Sequence, residues 1–242
     1  MYYLLDLSNN LATKIIIEKT SQIKVCKKIV GKNLLDHRPI GYNLYKSRIK
    51  GCAFMFKIRH FDWLAPVYEK LITGEVSQIL VNLLNLQADH YILDAGGGTG
   101  RIAAGLIGEN RKIIVADSSL QMLIQARQKA GLLCTNCDVK NMPFNGNLFD
   151  RIIIVDAFHH MPDQENAIKE LWRLLKPGGL LIIEEPNIIH FPVKIIALME
   201  KMLLMKSKFL KSDNLIELIN AHQPNKVMMY NQDHTYWVIA TK

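Results

Sequence analysis

The sequence predicts an α/β fold whose mostly parallel seven-stranded sheet is closed by an antiparallel C-terminal hairpin. Two observations carry this. From Tyr91 onward, apolar runs of four to six residues (YILDA, KIIVA, LLCT, RIIIV, LLIIEE) alternate with segments of helical periodicity. Strands apolar on both faces belong inside a parallel sheet covered by helices. Near the end, Lys226 to Tyr230 and Thr235 to Thr241 flank Asn231-Gln232-Asp233-His234, the pattern of two strands joined by a turn.

The helices between the strands are signalled in turn. Leu120, Leu123, Ile124 and Arg127 mark one, with Asp117-Ser118-Ser119 as its start. Ala167, Ile168, Leu171, Leu174 and Leu175 mark another, which starts at Pro162-Asp163 and stops at Lys176-Pro177-Gly178-Gly179. Residues Phe191 to Met205 are apolar, Met-rich and followed by Lys206, Lys208 and Lys211. This reads first as a core or pocket-wall helix. The alternative is peripheral membrane contact through residues 191–211, because a basic amphipathic helix can lie on a bilayer surface.

With 242 residues, 49% of them hydrophobic, the chain can bury a full core. Its net charge of +8 is localised: residues 1–50 hold ten Lys/Arg against three acidic residues, +7 of the total. That distribution argues against a basic nucleic-acid-binding surface on the rest of the chain. Cys134 and Cys137 form a CxxC without a second Cys or His pair, so a metal site is not expected; both fit on or just after a buried strand. No apolar run reaches the ~18 residues of a membrane span, and the N-terminus lacks the order of a signal peptide. A reducing, cytoplasmic setting is the expectation.

The richest stretch is residues 92–103, ILDAGGGTGRIA. Glycines sacrifice backbone entropy, so a strand ending in four of them suggests close approach by a ligand to bare N–H groups. Two cofactor classes fit. Gly98 to Ala103 matches G-x-G-x-x-A with Asp117 about 20 residues on, the dinucleotide pattern. S-adenosylmethionine sites likewise place an acidic residue after the second strand.

The remaining motifs separate the two. ILDAGGGTGRIA, Asp117 in VADSSLQML, Asp138 in CDVKNMPF, FDRIIIVDAFHHMPD and LLKPGGLLIIEEP occur in this order. With them the sequence resembles class I S-adenosylmethionine-dependent methyltransferases across roughly residues 61–242. The resemblance implies a Rossmann-like doubly wound sheet and S-adenosylmethionine as cofactor. It implies that Asp94, Gly96, Gly98 and Gly100 shape the pocket for the methionine part. Asp117, with Ser118 beside it, would bind the ribose hydroxyls; Asp138 would bind the adenine amino group, with a backbone contact from Val139. Gly97 replaces what is often a larger residue, a change of little expected consequence. FDWLAPVYE, residues 61–69, looks like the leading segment of the ubiquinone/menaquinone C-methyltransferase branch, although Glu69 stands where that branch has Asp. By this resemblance Phe61 and Tyr68 fold over the cofactor and shield the methyl.

Methyl transfer relies mainly on alignment, and a base matters only if the nucleophile must lose a proton. Asp156, His159 and His160 are the candidates, since they follow the fourth strand at the sheet edge where open α/β proteins bind ligands; for His159 a packing or capping role is the favoured reading. The expected activity is methyl transfer to a small apolar or aromatic acceptor such as a quinone precursor. The alternative is a cofactor- or partner-binding protein of the same fold without catalysis. A domain over residues 55–242 is expected behind a basic extension, residues 1–54, with Met55 as a candidate functional start. Neither the acceptor nor the oligomeric state is legible.

Overall fold

Strand β1, Tyr91–Ala95, is an interior strand paired along both edges, and its Ile92, Leu93 and Ala95 have no exposed surface. This is a computed structural model; it describes residues 76–108, 111–202 and 207–242, with no side chains at 201 and 202. The extension, Met55, Phe61 and Tyr68 lie outside the described residues. Around β1 run β2 (Lys112–Asp117), β3 (Leu132–Asn136), β4 (Phe149–Val155) and β5 (Leu175–Pro186), all parallel. The hairpin β6 (Lys226–Gln232) and β7 (Thr235–Thr241) adds to β5 antiparallel, giving the order β3-β2-β1-β4-β5-β7-β6. The strand reading therefore holds in kind and order.

Six described helices flank the sheet: α1 (Gln78–Leu84), α2 (Arg101–Ala104), α3 (Leu120–Ala126), α4 (Gln164–Leu174), α5 (Phe191–Met202) and α6 (Ser212–Asn220). In α4, Ala167, Ile168, Leu171 and Leu174 are fully buried, as the periodicity requires. Each large aliphatic side chain removed from water contributes about 1.5–3 kcal/mol. Asp163 caps α4 by accepting from Asn166 N–H, and Ser119 caps α3 by accepting from Met122 N–H.

Three details differ from the sequence reading. The hairpin turn is Asp233-His234 alone; Asn231 and Gln232 continue β6, and Asp233 takes the positive φ of 50°. Lys176-Pro177-Gly178-Gly179 does not precede β5 but bulges from it, between the pairs Phe149↔Leu175 and Arg151↔Leu180. Gly178 at φ +75° lets the bulge turn, and its N–H donates to Lys242 O at 2.7 Å. Helix α5 is not a core helix. Val193 is buried, whereas Phe191, Ile195, Ile196, Leu198 and Met199 are exposed.

Candidate functional site

Strand order reverses between β1 and β4, and open α/β sheets bind ligands in the crevice beyond the carboxyl ends of such strands. The glycine loop forms one lip of it. Gly96, Gly98 and Gly100 have φ of +76°, +53° and +72°, a region L side chains rarely adopt. Gly96 packs on the opposite lip, where a Cβ would stand 3.0 Å from Ala157 Cβ. At Gly98 a Cβ would meet only Met122 Sδ, at 4.0 Å, so the loop opens onto space there. Three bonds pin it: Gly96 N–H to Ala116 O at 2.7 Å, Gly98 N–H to Asp117 Oδ2 at 2.9 Å, and Lys129 Nζ to Thr99 O at 2.9 Å. Helix α2 behind the loop has only four residues, so its dipole adds little; the cradle is made by loop conformation.

Three carboxylates sit at the ends of the adjacent strands β1, β4 and β5. Asp94 is 1% exposed, and its Oδ2 has no hydrogen-bond partner among the described residues. Burial first, then the Asp117 charge, pushes its pKa up to about 7, against the pull of the Ala103 N–H and Arg101. Asp156 ends β4 at φ +52°, a left-handed conformation that Asp tolerates better than most residues. Its side chain touches solvent yet is crowded by protein, and that crowding, reinforced by Glu185 and Glu200, raises its pKa to about 6. Glu184 rises to about 7, by burial and then by Asp156. The Arg101 charge favours ionisation of all three. A further cation among them would complete their ionisation.

Asp117 braces the loop. One carboxylate oxygen accepts from Gly98 N–H and the other from Ser119 N–H at 2.6 Å, so Asp117 ties the glycines to the start of α3. Ser118 is exposed beside it, and Asn136 Nδ2 donates to both carbonyls, Asp117 O and Ser118 O, at 3.0 Å. Asp138 is exposed beyond β3 and turns its carboxylate on its own loop, accepting from Lys140 N–H at 3.1 Å. Val139 next to it is half-buried.

The loop after β4 is organised by Glu185, which is 2% exposed. Its Oε1 accepts from Ala157 N–H at 3.1 Å and Phe158 N–H at 2.8 Å; its Oε2 accepts from His159 N–H at 3.1 Å and faces His159 Nδ1 at 2.7 Å. His159 is buried and stacks on Phe209 at 4.3 Å, a packing role. Burial lowers its pKa, but the Glu185 hydrogen bond and charge, with Asp156 and Glu200, hold it above the usual value. His160 goes the other way: burial, then the His159 charge, lowers it to about 3. Such an imidazole is neutral at pH 7 and a weak base. Arg101, Glu184 and Glu185 were not singled out in the sequence. The acidic pair in LLIIEEP was the available signal, because buried acids need a reason.

Residues 93–183 match the family described as "Methyltransferase domain". The chain is 33% identical over 110 residues to the ubiquinone/menaquinone biosynthesis C-methyltransferase UbiE of Cellvibrio japonicus, covering 41% of this chain and 44% of that protein. It is 31% identical over 150 residues to the protein of the same name from Saccharophagus degradans, covering 58% and 60%. The chain resembles class I S-adenosylmethionine-dependent methyltransferases. It spans about half the length of these curated relatives. Among solved structures, a SAM-dependent methyltransferase from Thermotoga maritima aligns with a TM-score of 0.62 at 22% identity, over 75% of this chain and 98% of that one. The cyclase SpnF aligns with a TM-score of 0.57 at 17% identity, over 70% and 72%. At these identities the structures establish the fold, the Rossmann-like fold of methyltransferases, and the reaction has to be argued from the site.

Proposed function

We propose that this chain transfers a methyl group from S-adenosylmethionine to a small apolar or aromatic acceptor, with quinone precursors the first class to test. The observation that carries the reading is the acidic crevice: Asp94, Asp156 and Glu184 around one glycine loop, each with its pKa raised to about 6 or 7. A sulfonium cofactor brings the positive charge these carboxylates lack, whereas the phosphates of a dinucleotide would be repelled. The relatives it matches, C-methyltransferases of ubiquinone and menaquinone biosynthesis by name, support the same reading.

When bound, S-adenosylmethionine supplies a methyl group made electrophilic by its sulfonium. In this reading Asp94 and the backbone of Gly96, Gly98 and Gly100 hold the methionine part. Asp117 accepts from the ribose hydroxyls while it keeps Gly98 in place, since each carboxylate oxygen can accept more than one bond. Asp138 and Val139 meet the adenine. Where the acceptor must lose a proton, Asp156 at about 6 suits the task near neutral pH better than His160 at about 3. Tyr68, which the resemblance assigns to shielding the methyl, lies outside the described residues.

An apolar acceptor makes contact with a lipid surface part of the reading. Phe191, Ile195, Leu198 and Met199 recur at helical spacing on α5 and are 74%, 45%, 59% and 57% exposed, with Lys194, Lys208 and Lys211 exposed nearby. Among the described residues no helix is long and apolar enough to cross a membrane. A cytoplasmic setting belongs to the same proposal.

The test is incubation of the full chain with methyl-labelled S-adenosylmethionine and extracted cellular lipids and quinols. A labelled quinol product supports the reading. Tight cofactor binding without transfer to any acceptor supports the alternative, a binding protein, for which the weak basicity of His160 speaks.

A further inference from the structure

We propose that His159, His160 and Glu200 bind one divalent cation of the zinc type, which clamps helix α5 to the loop after β4. One ligand-type atom from each of the three residues lies within 4.8 Å of the others. Two imidazoles and a carboxylate are a donor set that suits zinc and its neighbours in the first transition row.

The surroundings match what metal-bound imidazoles require. A ligating histidine donates its other ring N–H to a fixed acceptor, which sets the tautomer and the ring orientation. His159 Nδ1 faces Glu185 Oε2 at 2.7 Å, and Glu185 is itself fixed by three backbone N–H groups. This arrangement leaves Nε2 as the His159 atom on the Glu200 side, 4.0 Å from Glu200 Oε1. His160 Nδ1 meets Ser207 Oγ at 3.0 Å. The ring centroids of His159 and His160 are 4.0 Å apart, and a ring nitrogen of each lies within 4.8 Å of the other and of a Glu200 carboxylate oxygen.

Glu200 supplies the second argument. Its Oε2 is buried without a hydrogen-bond partner among the described residues. A proton on His159 Nε2 would engage Oε1 alone, whereas a cation between the three groups engages the whole carboxylate. Donors around one tetrahedral zinc lie about 3.3 Å apart, given bonds of about 2.0–2.1 Å, so a small shift of Glu200 closes the set. The shift is inexpensive because α5 is lightly held: among its described side chains Val193 is the buried large apolar one, while Phe191, Ile195, Ile196, Leu198 and Met199 are exposed. A metal clamp supplies the attachment that apolar packing does not.

The experiment uses chelator-treated full-length protein titrated with zinc chloride by calorimetry and with cobalt chloride by visible absorption, near neutral pH. One site is expected, with the absorption of cobalt in mixed nitrogen and oxygen coordination, and slower amide exchange over residues 191–202 when zinc is present. Glu200→Gln and His160→Gln, both at partly exposed positions, should each weaken binding roughly tenfold or more. Absence of binding overturns the proposal. So does retention of full affinity in either variant, or loss of binding in Cys137→Ser alone, which would place the ion at the cysteines. None of these readouts depends on methyl transfer, so the site stands or falls separately from the proposed activity.

Discussion

The Asp94 carboxylate lies directly against Gly97: a Cβ built on Gly97 would come 2.5 Å from Asp94 Cγ. Read in sequence alone, a larger residue at 97 changes little; in this chain it displaces the buried acid at the base of the crevice. Gly97→Ala should therefore weaken S-adenosylmethionine binding and cost about 1–3 kcal/mol of stability by overpacking. Calorimetry and urea unfolding read the two effects, and a variant that matches the parent in both contradicts the contact.

Asp94 also makes stability depend on pH. The unfolded carboxyl ionises around its ordinary value of 3.8, the folded one around 7. Between those values the folded state binds more protons, so Asp94 removes stability progressively as pH rises from about 4 to 7. By pH 8 the loss is on the order of 4 kcal/mol, about 1.4 kcal/mol for each of the roughly three units between the two values. Asp94→Asn should flatten this slope and stabilise the cofactor-free protein at pH 8 while weakening cofactor binding. Unfolding curves at pH 5 and pH 8 check it; an unchanged slope means Asp94 is not the titrating group.

Asp117→Ala removes the acceptor from two backbone donors, Gly98 N–H and Ser119 N–H. An unsatisfied group costs about 1–3 kcal/mol, and the same carboxylate is assigned to the ribose. Affinity for S-adenosylmethionine should fall by about that amount. Unchanged affinity refutes the ribose role.

Glu185→Gln tests the organiser of the β4 loop. The amide swaps one acceptor oxygen for a donor, which then faces either the backbone N–H groups of Ala157 and Phe158 or His159. Loss of about 2–4 kcal/mol of stability is expected, with the His159 imidazole resonances shifted in NMR spectra. A variant as stable as the parent would show that the loop holds without this carboxylate.

What the sequence revealed and what it hid follow from the range of the interactions involved. Strands β1 to β5 were legible because burial on both faces leaves apolar runs that no helix of similar length needs. The glycine loop was legible because positive φ at Gly96, Gly98 and Gly100 restricts the residue type. Glu185 was not, since its partners Ala157 to His159 lie 26 to 28 residues away and are mostly backbone groups, which carry no sequence signal. The exposure of α5 was hidden for a different reason: an apolar helix reads the same whether it faces a core or solvent. The bulge at Lys176 to Gly179 likewise shows breakers inside a strand, where local rules put them before it.

Calorimetric titration of the full chain with S-adenosylmethionine, S-adenosylhomocysteine and NADH asks whether the acidic crevice at the glycine loop receives a sulfonium cofactor. The first two should bind, with affinity for S-adenosylmethionine rising from pH 5.5 to pH 8 as Asp94, Asp156 and Glu184 ionise, and with a smaller rise for the uncharged thioether. Binding of NADH with no binding of either adenosyl compound would contradict it.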